Sequence, residues 1–151
     1  MRVRTLRLPE VREVEDWFAY GCTFLVNLEL PKLNGAGDYF ANHCSSLSDL
    51  HLPKLEKAGH AFASYCTSLV DMELSELREV GSWFAFCCTS LVNLHMPKLE
   101  TAGDYFTSYC LSLTDLRLPE LREAGYAFTH RCPSLANPHL PKLSTSKGPQ
   151  S

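Results

Sequence analysis

The amino-acid sequence predicts an α/β solenoid with one parallel strand per 22-residue repeat and short helical or 3-10 turns on the opposite face. Three observations predict this class: a fixed period, a strand-like alternation at the start of each copy, and helix-like spacing later in the copy. A fixed period of about 20–29 residues is typical of solenoids, because each unit buries its apolar face only against its neighbours.

The repeat is written six times, and a seventh copy begins before the sequence ends. The full copies begin at Leu6, Leu28, Leu50, Met72, Leu94 and Leu116, and the truncated copy opens at Pro138. The sequence therefore predicts a repeat domain over residues 1–143, with six full repeats and a partial seventh. A polar disordered tail is expected over residues 144–151.

The first residues of each copy have the pattern of a strand. In the third copy, apolar Leu50 and Leu52 alternate around an outward His51, and Pro53 follows. Proline lacks the amide hydrogen that a sheet ladder needs, so the strand is expected to end there. Proline recurs at this position in every copy except the fourth, where Ser75 replaces it.

The return segment changes its apolar period from two residues to about 3.6. In the third copy its apolar residues are Ala58, Phe62, Cys66 and Leu69. Their spacing of four, four and three residues predicts a short helical turn with one face toward the core. A glycine before this turn is expected to supply a positive φ, and Glu15 replaces it in the first copy.

Six of the seven cysteines occupy one position of the repeat. They are Cys22, Cys44, Cys66, Cys88, Cys110 and Cys132. Stacked repeats hold equivalent residues about 4.8 Å apart, but their Cβ atoms point in the same direction. A column of buried free thiols is therefore favoured over disulfide bonds.

Composition and charge exclude several classes of function. The net charge of −3 and the pI near 6.0 argue against a nucleic-acid-binding protein, which needs a basic patch. The segment Met1–Arg7 lacks a signal-peptide pattern, and no run approaches the roughly 18 apolar residues of a membrane span. As written, the chain is expected in the cytoplasm, or at the cell surface if it belongs to a longer exported protein. The sequence does not indicate an oligomeric state.

Motifs for catalysis or cofactor binding are weak. Gly35-Ala36-Gly37 resembles the start of a phosphate-binding loop, but Phe40 stands where the third glycine is needed. No nucleophile elbow of the G-x-S-x-G kind occurs. We therefore predict no enzyme, no catalytic residue and no cofactor.

Two outward columns contain side chains that could bind metal. His51, His95 and His139 recur on alternate repeats, about 9.5 Å apart, which is too far for a zinc ion to join them. Asp49 and Asp71 lie close enough in the repeat, with Glu73, to suggest a hard cation. Capping of backbone amides by short polar side chains is the favoured interpretation of the aspartate column, so no metal site is predicted.

The order of the residue types that recur from copy to copy resembles that of a known repeat family. The third copy runs Leu47, Leu50, Leu52, Pro53, Leu55, Ala58, Gly59, Ala61, Phe62, Cys66. This order resembles the BspA-like, or Treponema-type, leucine-rich repeat, over residues 6–143, with 22 residues per copy rather than the usual 23. The resemblance implies a leucine-rich repeat array and a surface-antigen-like protein that binds a partner protein.

The outward strand column is the predicted partner-binding surface, because it varies between copies while the inward columns hardly vary. It contains Arg7, Glu29, His51, Glu73, His95, Arg117 and His139, and it is flanked by Asp49, Asp71 and Asp115. Mixed charge suits a polar protein interface with salt-sensitive contacts. Trp17, Tyr39, Trp83 and Tyr105 offer a second candidate surface, although part-buried packing is expected for them. The alternative function is a fragment of a longer array with a purely structural role.

Overall fold

The computed structural model describes residues 2–147, with side chains described as far as residue 144. Its regular elements are short strands. They are β1 Thr5–Arg7, β2 Glu13–Val14, β3 Asn27–Glu29, β4 Gly35–Ala36, β5 Asp49–His51, β6 Lys57–Ala58, β7 Asp71–Glu73, β8 Glu79–Val80, β9 Asn93–His95, β10 Thr101–Ala102, β11 Asp115–Arg117, β12 Glu123–Tyr126 and β13 Thr145–Lys147.

Each full repeat contributes two strands, so the prediction of one strand per repeat is incomplete. The three-residue strands from β1 to β11 form two parallel sheets, ordered β1-β3-β5 and β11-β9-β7. The remaining strands form one parallel sheet in the order β13-β12-β10-β8-β6-β4-β2, here called the second sheet. Partners in neighbouring repeats are equivalent residues, such as Leu28 with Leu50 and Ala36 with Ala58. The parallel solenoid is thus confirmed.

The predicted helical or 3-10 turns are wrong, because residues 2–147 contain no helix. In the third repeat, every second residue of the return segment is left-handed, with φ of 55° at Ala61, 51° at Ala63 and 61° at Tyr65. Their amides donate to carbonyls of adjacent repeats, each at 2.8 Å. This alternation also brings residues three and four apart to the core, so the apolar spacing alone did not distinguish it from a helix.

The glycine before the return segment has a different role from the predicted one. Gly37, Gly59, Gly81, Gly103 and Gly125 do not have positive φ. A Cβ on Gly103 would lie 2.6 Å from Ser82 N and 2.7 Å from Gly81 C, so the backbones of successive turns pass too close for a side chain. Glu15 is accommodated in the first copy because no earlier described turn lies against it.

The core consists of columns that run along the stack of repeats. Phe40, Phe62, Phe84 and Phe106 are fully buried, and their rings stack face to face at centroid distances of 5.0–5.2 Å. The inward leucines of the strands, such as Leu28 and Leu94, are also fully buried. Burial of a large apolar side chain stabilises a fold by about 1.5–3 kcal/mol, so these columns carry most of the stability.

All seven cysteines are free in the structure, and four of the six in the column are buried. The Cys66 thiol donates to the Ala41 carbonyl at 3.1 Å, and Cys88 donates to the Ala63 carbonyl at 3.0 Å. Burial raises the pKa of the Cys44 thiol to about 11 and also raises the pKa of Cys88. The thiols in the interior therefore stay protonated and bonded to the left-handed turns.

The end of the described chain continues the second sheet. β13 pairs in parallel with β12, through Thr145 with Glu123 and Ser146 with Ala124. Residues 148–151, the rest of the predicted polar tail, lie outside the described residues.

Gly103→Ala tests whether close packing of turns explains the glycine column. Because the new Cβ would meet backbone atoms at 2.6–2.7 Å, we expect the free energy of unfolding to fall by about 1–3 kcal/mol. Gly35→Ala is the matched control, since its Cβ would meet only the Glu13 side chain, at 3.6 Å. Equal urea midpoints for the two variants would contradict this role.

Thiol labelling tests the cysteine column. In the native protein we expect iodoacetamide to react first with exposed Cys22, then with half-buried Cys87, because Cys66, Cys88 and Cys110 are buried. Denaturant without reductant should release seven reactive thiols. The Cys22→Ser variant should lose the fast phase only. Fewer than seven thiols would mean that disulfide bonds form.

Candidate protein-binding face

The predicted binding residues lie together on one side of the solenoid, here called the strand face. It comprises the outward side chains of β1, β3, β5, β7, β9 and β11. Register places Arg7 beside Glu29, Glu29 beside His51, and Arg117 beside His139 through an isolated bridge. His51, Glu73 and Arg117 are exposed, while the intervening Leu94 and Leu116 are buried.

Charges on the strand face interact mainly toward its two ends. Arg7 Nε lies 3.5 Å from Glu29 Oε2, at the first end. Asp115 accepts hydrogen bonds from Arg117 Nε at 2.9 Å and from His95 Nε2 at 3.0 Å. These bonds, that of Arg117 first, lower the pKa of the Asp115 carboxyl below its ordinary value.

The flanking column of short polar side chains forms contacts along the stack, and the predicted capping of backbone amides by these side chains is wrong. Asn27 Nδ2 donates to Thr5 Oγ1 at 3.1 Å, and Asn93 Nδ2 donates to Asp71 Oδ1 at 2.6 Å. Asp49 and Asp71 occupy adjacent places in this column. Two ionised carboxylates can only accept hydrogen bonds, so these side chains cannot bond to each other. Like charges directly opposite each other in a sheet are destabilising.

Capping of backbone amides is performed by another column, which sequence reasoning missed. Asp16 Oδ1 accepts from the Asp38 amide at 2.8 Å, and Asp38 Oδ1 accepts from the His60 amide at 2.8 Å. Asp104 makes the same bond to the Tyr126 amide at 2.7 Å. The available signal was a polar residue directly after the repeat glycine.

The strand face is interrupted between β5 and β7, at a break here called the seam. Across the other repeats, the residue after each strand donates its amide to the next strand at 3.1–3.2 Å. These donors are Leu8, Leu30, Leu74, Met96 and Leu118. No such bond joins Leu52 N to Glu73 O, and none joins Val70 N to Ser48 O. The amides of Leu52 and Val70 and the carbonyls of Glu73 and Ser48 therefore lack the sheet partners that equivalent groups have in neighbouring repeats of the described chain.

The seam opens on the strand face and leaves the opposite side closed. In the second sheet, β6 and β8 pair normally through Lys57 with Glu79 and Ala58 with Val80. A cavity of about 380 Å³ occupies the opening, and Asp49, His51 and Glu73 contribute to its walls. Asp49 and Asp71 stand at equivalent positions on the two sides of the opening, where like charges on paired strands would repel each other.

The described residues contain neither a cluster of metal ligands nor a membrane-spanning helix. Within residues 2–147, no group of three or more His, Cys, Asp or Glu side chains is arranged to hold a metal ion. His51, His95 and His139 stay on the exposed column, as separate side chains. No helix in this part of the chain is long and apolar enough to span a membrane.

The aromatic residues of the second candidate surface are partly buried, as predicted. Trp17 is 55% exposed and stacks on Tyr39, and Trp83 is 44% exposed and stacks on Tyr105. They lie on the return segment, away from the strand face.

Comparison with known proteins identifies the repeat. Residues 2–114 match the BspA type leucine rich repeat region, in six copies. The chain belongs to this family. The predicted family is therefore confirmed. The repeat fold suggests a protein-interaction module in general.

Two solved structures have a similar leucine-rich repeat fold. A leucine rich repeat protein of T. pallidum aligns with a TM-score of 0.88 and 24% identity, over 97% of this chain and 74% of that one. A leucine-rich repeat protein from Bacteroides ovatus aligns with a TM-score of 0.65 and 19% identity, over 97% of this chain and 45% of that one. A comparison with curated proteins gave no significant match. Identities this low establish the fold alone.

Asp49→Asn tests the cause of the seam. The new amide can donate to Asp71 across the seam, as Asn93 does on the other side, so we expect the free energy of unfolding to rise by about 0.2–1 kcal/mol. Asp115→Asn is the control, because it weakens existing bonds to Arg117 and His95 and should lower the same quantity. Urea denaturation measures both, and destabilisation by Asp49→Asn would contradict carboxylate repulsion.

Proposed function

We propose that this protein is a non-enzymatic binding module whose protein partner docks on the strand face. The observation that carries the proposal is the seam, where the sheet presents unpaired main-chain groups beside exposed charges. Such groups cost free energy unless they find partners, and an extended segment of another chain supplies them in a regular series.

The seam suggests how a partner segment would be held. Leu52 N and Val70 N are available donors, and Ser48 O and Glu73 O are available acceptors, on the two sides of one cavity. Main-chain hydrogen bonds give affinity in strand addition, and side-chain pockets give specificity. Here the specificity would come from the predicted site residues Asp49, Asp71, His51 and Glu73.

The charge pattern suggests which partner segments are favoured. Near the seam, Asp49, Asp71 and Glu73 are exposed carboxylates without a Lys or Arg partner in the described chain. They favour a partner segment with Lys or Arg, and they disfavour nucleic acid, whose phosphates they repel. Arg7, Glu29, His95, Arg117, His139 and Asp115 extend the same polar face on either side.

The biological setting that the family suggests is a surface-antigen-like protein. The alternative is a segment of a longer array whose strand face has no partner of its own. These two possibilities differ in whether the strand face selects a particular protein.

A pull-down with a matched pair of triple variants tests the proposal. Immobilised wild-type protein is compared in native extract with the Glu29, Glu73, Arg117 triple alanine variant, and bound proteins are quantified by mass spectrometry. We expect specific partners to be lost, because these side chains form the charged strand face, and we expect raised salt to weaken them as well.

The control variant replaces Glu13, Glu79 and Arg122 by alanine. It removes the same number of acidic and basic groups, on or beside the second sheet, so it changes net charge equally. It should keep the partners that the strand-face variant loses. Identical partner lists for the wild type and both variants would contradict the strand-face proposal and favour a structural role.

A further inference from the structure

The aromatic residues before the core phenylalanines form a ladder with a missing rung. The column contains Trp17, Tyr39, Ala61, Trp83, Tyr105 and Ala127. The Trp17 and Tyr39 rings stack at 4.1 Å with an interplanar angle of 6°, and Trp83 and Tyr105 stack at 6.0 Å with an angle of 30°. Ala61 interrupts the column between these two stacked pairs.

The missing rung leaves an apolar slot. Tyr39 and Trp83 are two repeats apart, which corresponds to about 9.6 Å at the usual strand spacing. The cavity between them measures about 370 Å³, with Ala61 and Ser64 as a buried floor. Tyr65 lies at one end of this slot. It is backed by His43, whose ring stacks on Tyr65 at 4.4 Å.

The width of the slot suits one flat ring. A ring placed midway would lie about 4.8 Å from both Tyr39 and Trp83, inside the range of about 4.5–7 Å for favourable aromatic pairs. Both walls are supported from behind, by Trp17 and by Tyr105. The equivalent gap at Ala127 has only the Tyr105 wall among the described residues.

Polar groups at the floor are already used inside the protein. Asn42 Nδ2 donates to the Ala61 carbonyl at 3.1 Å, and the Ser64 hydroxyl donates to the Trp83 carbonyl. A guest would therefore be held by ring faces rather than by hydrogen bonds to its edge. This arrangement does not favour a nucleobase or a sugar, which depend on polar contacts for selection.

One carboxylate lies beside the slot, on the side of the capping column. Asp38 immediately precedes Tyr39, whereas His60 precedes Ala61 and Ser82 precedes Trp83. Asp38 uses one carboxylate oxygen to accept the His60 amide, at 2.8 Å. Its negative charge disfavours a phosphate and favours a cation beside the bound ring.

We propose that the slot over Ala61, between Tyr39 and Trp83, binds an aromatic side chain of a partner protein that carries a Lys or Arg beside it. The slot lies on the return segment, so this site is separate from the strand face and does not depend on the function proposed for that face. Aromatic residues held in apolar pockets are the usual anchors of protein interfaces.

Titration of the whole 151-residue chain, labelled with ¹³C at alanine methyl groups, tests the slot directly. N-acetyl-tryptophanamide should move the Ala61 methyl signal downfield, because the edge of the bound ring faces the floor. The tripeptide Lys-Trp-Lys should bind more tightly than Glu-Trp-Glu. Adenosine monophosphate and methyl glucoside are the comparison probes. A larger shift with either of these than with N-acetyl-tryptophanamide would overturn the proposal.

Filling the slot supplies the decisive variant. Ala61→Tyr restores the missing rung, and the backbone tolerates it because Tyr39 and Tyr105 adopt the same left-handed conformation, with φ of 60° and 53°. We expect binding of Lys-Trp-Lys to weaken at least tenfold. Ala127→Tyr makes the same change at the unwalled gap and should bind as wild type does.

A second variant keeps the test valid if the Ala61→Tyr protein does not fold. Trp83→Ala removes one wall without filling the slot and should also weaken binding of Lys-Trp-Lys at least tenfold. Wild-type affinity in either Ala61→Tyr or Trp83→Ala would overturn the proposal. So would self-association of the wild type that Ala61→Tyr abolishes, because the occupant would then be a second copy of the chain.

Discussion

Main-chain hydrogen bonds between neighbouring repeats hold the return segments in conformations that isolated chains avoid. Trp17, Tyr39 and Trp83 have φ of 67°, 60° and 62°. Their amides donate to the main-chain carbonyls of Asp38, His60 and Asp104 at 2.7–2.8 Å. A left-handed residue costs about 1–2 kcal/mol, and a hydrogen bond contributes about 0.5–1.5 kcal/mol net. Each turn is therefore stable only when it packs against the turn of a neighbouring repeat. The glycines, the thiols and the phenylalanine rings all fit this one distance between repeats.

The seam and the aromatic slot arise where the sequence departs from strict repetition. Asp49 follows Asn27 in its column, and the resulting carboxylate pair with Asp71 coincides with the opening of the sheet. Ala61 stands where the neighbouring copies have an aromatic ring, and a cavity of about 370 Å³ lies there. The inward columns cannot vary in this way, because a change of volume in a stacked core is destabilising. Variation is therefore concentrated at positions that face solvent.

Much of the architecture could be predicted from residue spacing alone. Alternation around His51 placed Leu50 and Leu52 inward, and the recurrence of Phe and Cys identified the buried columns. The helical turn could not be excluded, because the spacing of Ala58, Phe62 and Cys66 fits both a helix and an alternating left-handed path. The glycine role was missed for a similar reason, since close approach between turns is a tertiary property. The seam was visible only as two adjacent aspartates, whose effect depends on the pairing of the strands.

The seam also has a mechanical consequence. A rod cut through on one side and continuous on the other bends most easily at the cut. Here β6 pairs with β8, and the Ala61 and Tyr65 amides donate to the Ser82 and Phe86 carbonyls, so the second sheet and the return segments form the continuous side. Tyr39 and Trp83 lie on this continuous side, in opposite halves of the array. The main-chain bonds that cross the joint thus set the spacing of the two aromatic walls.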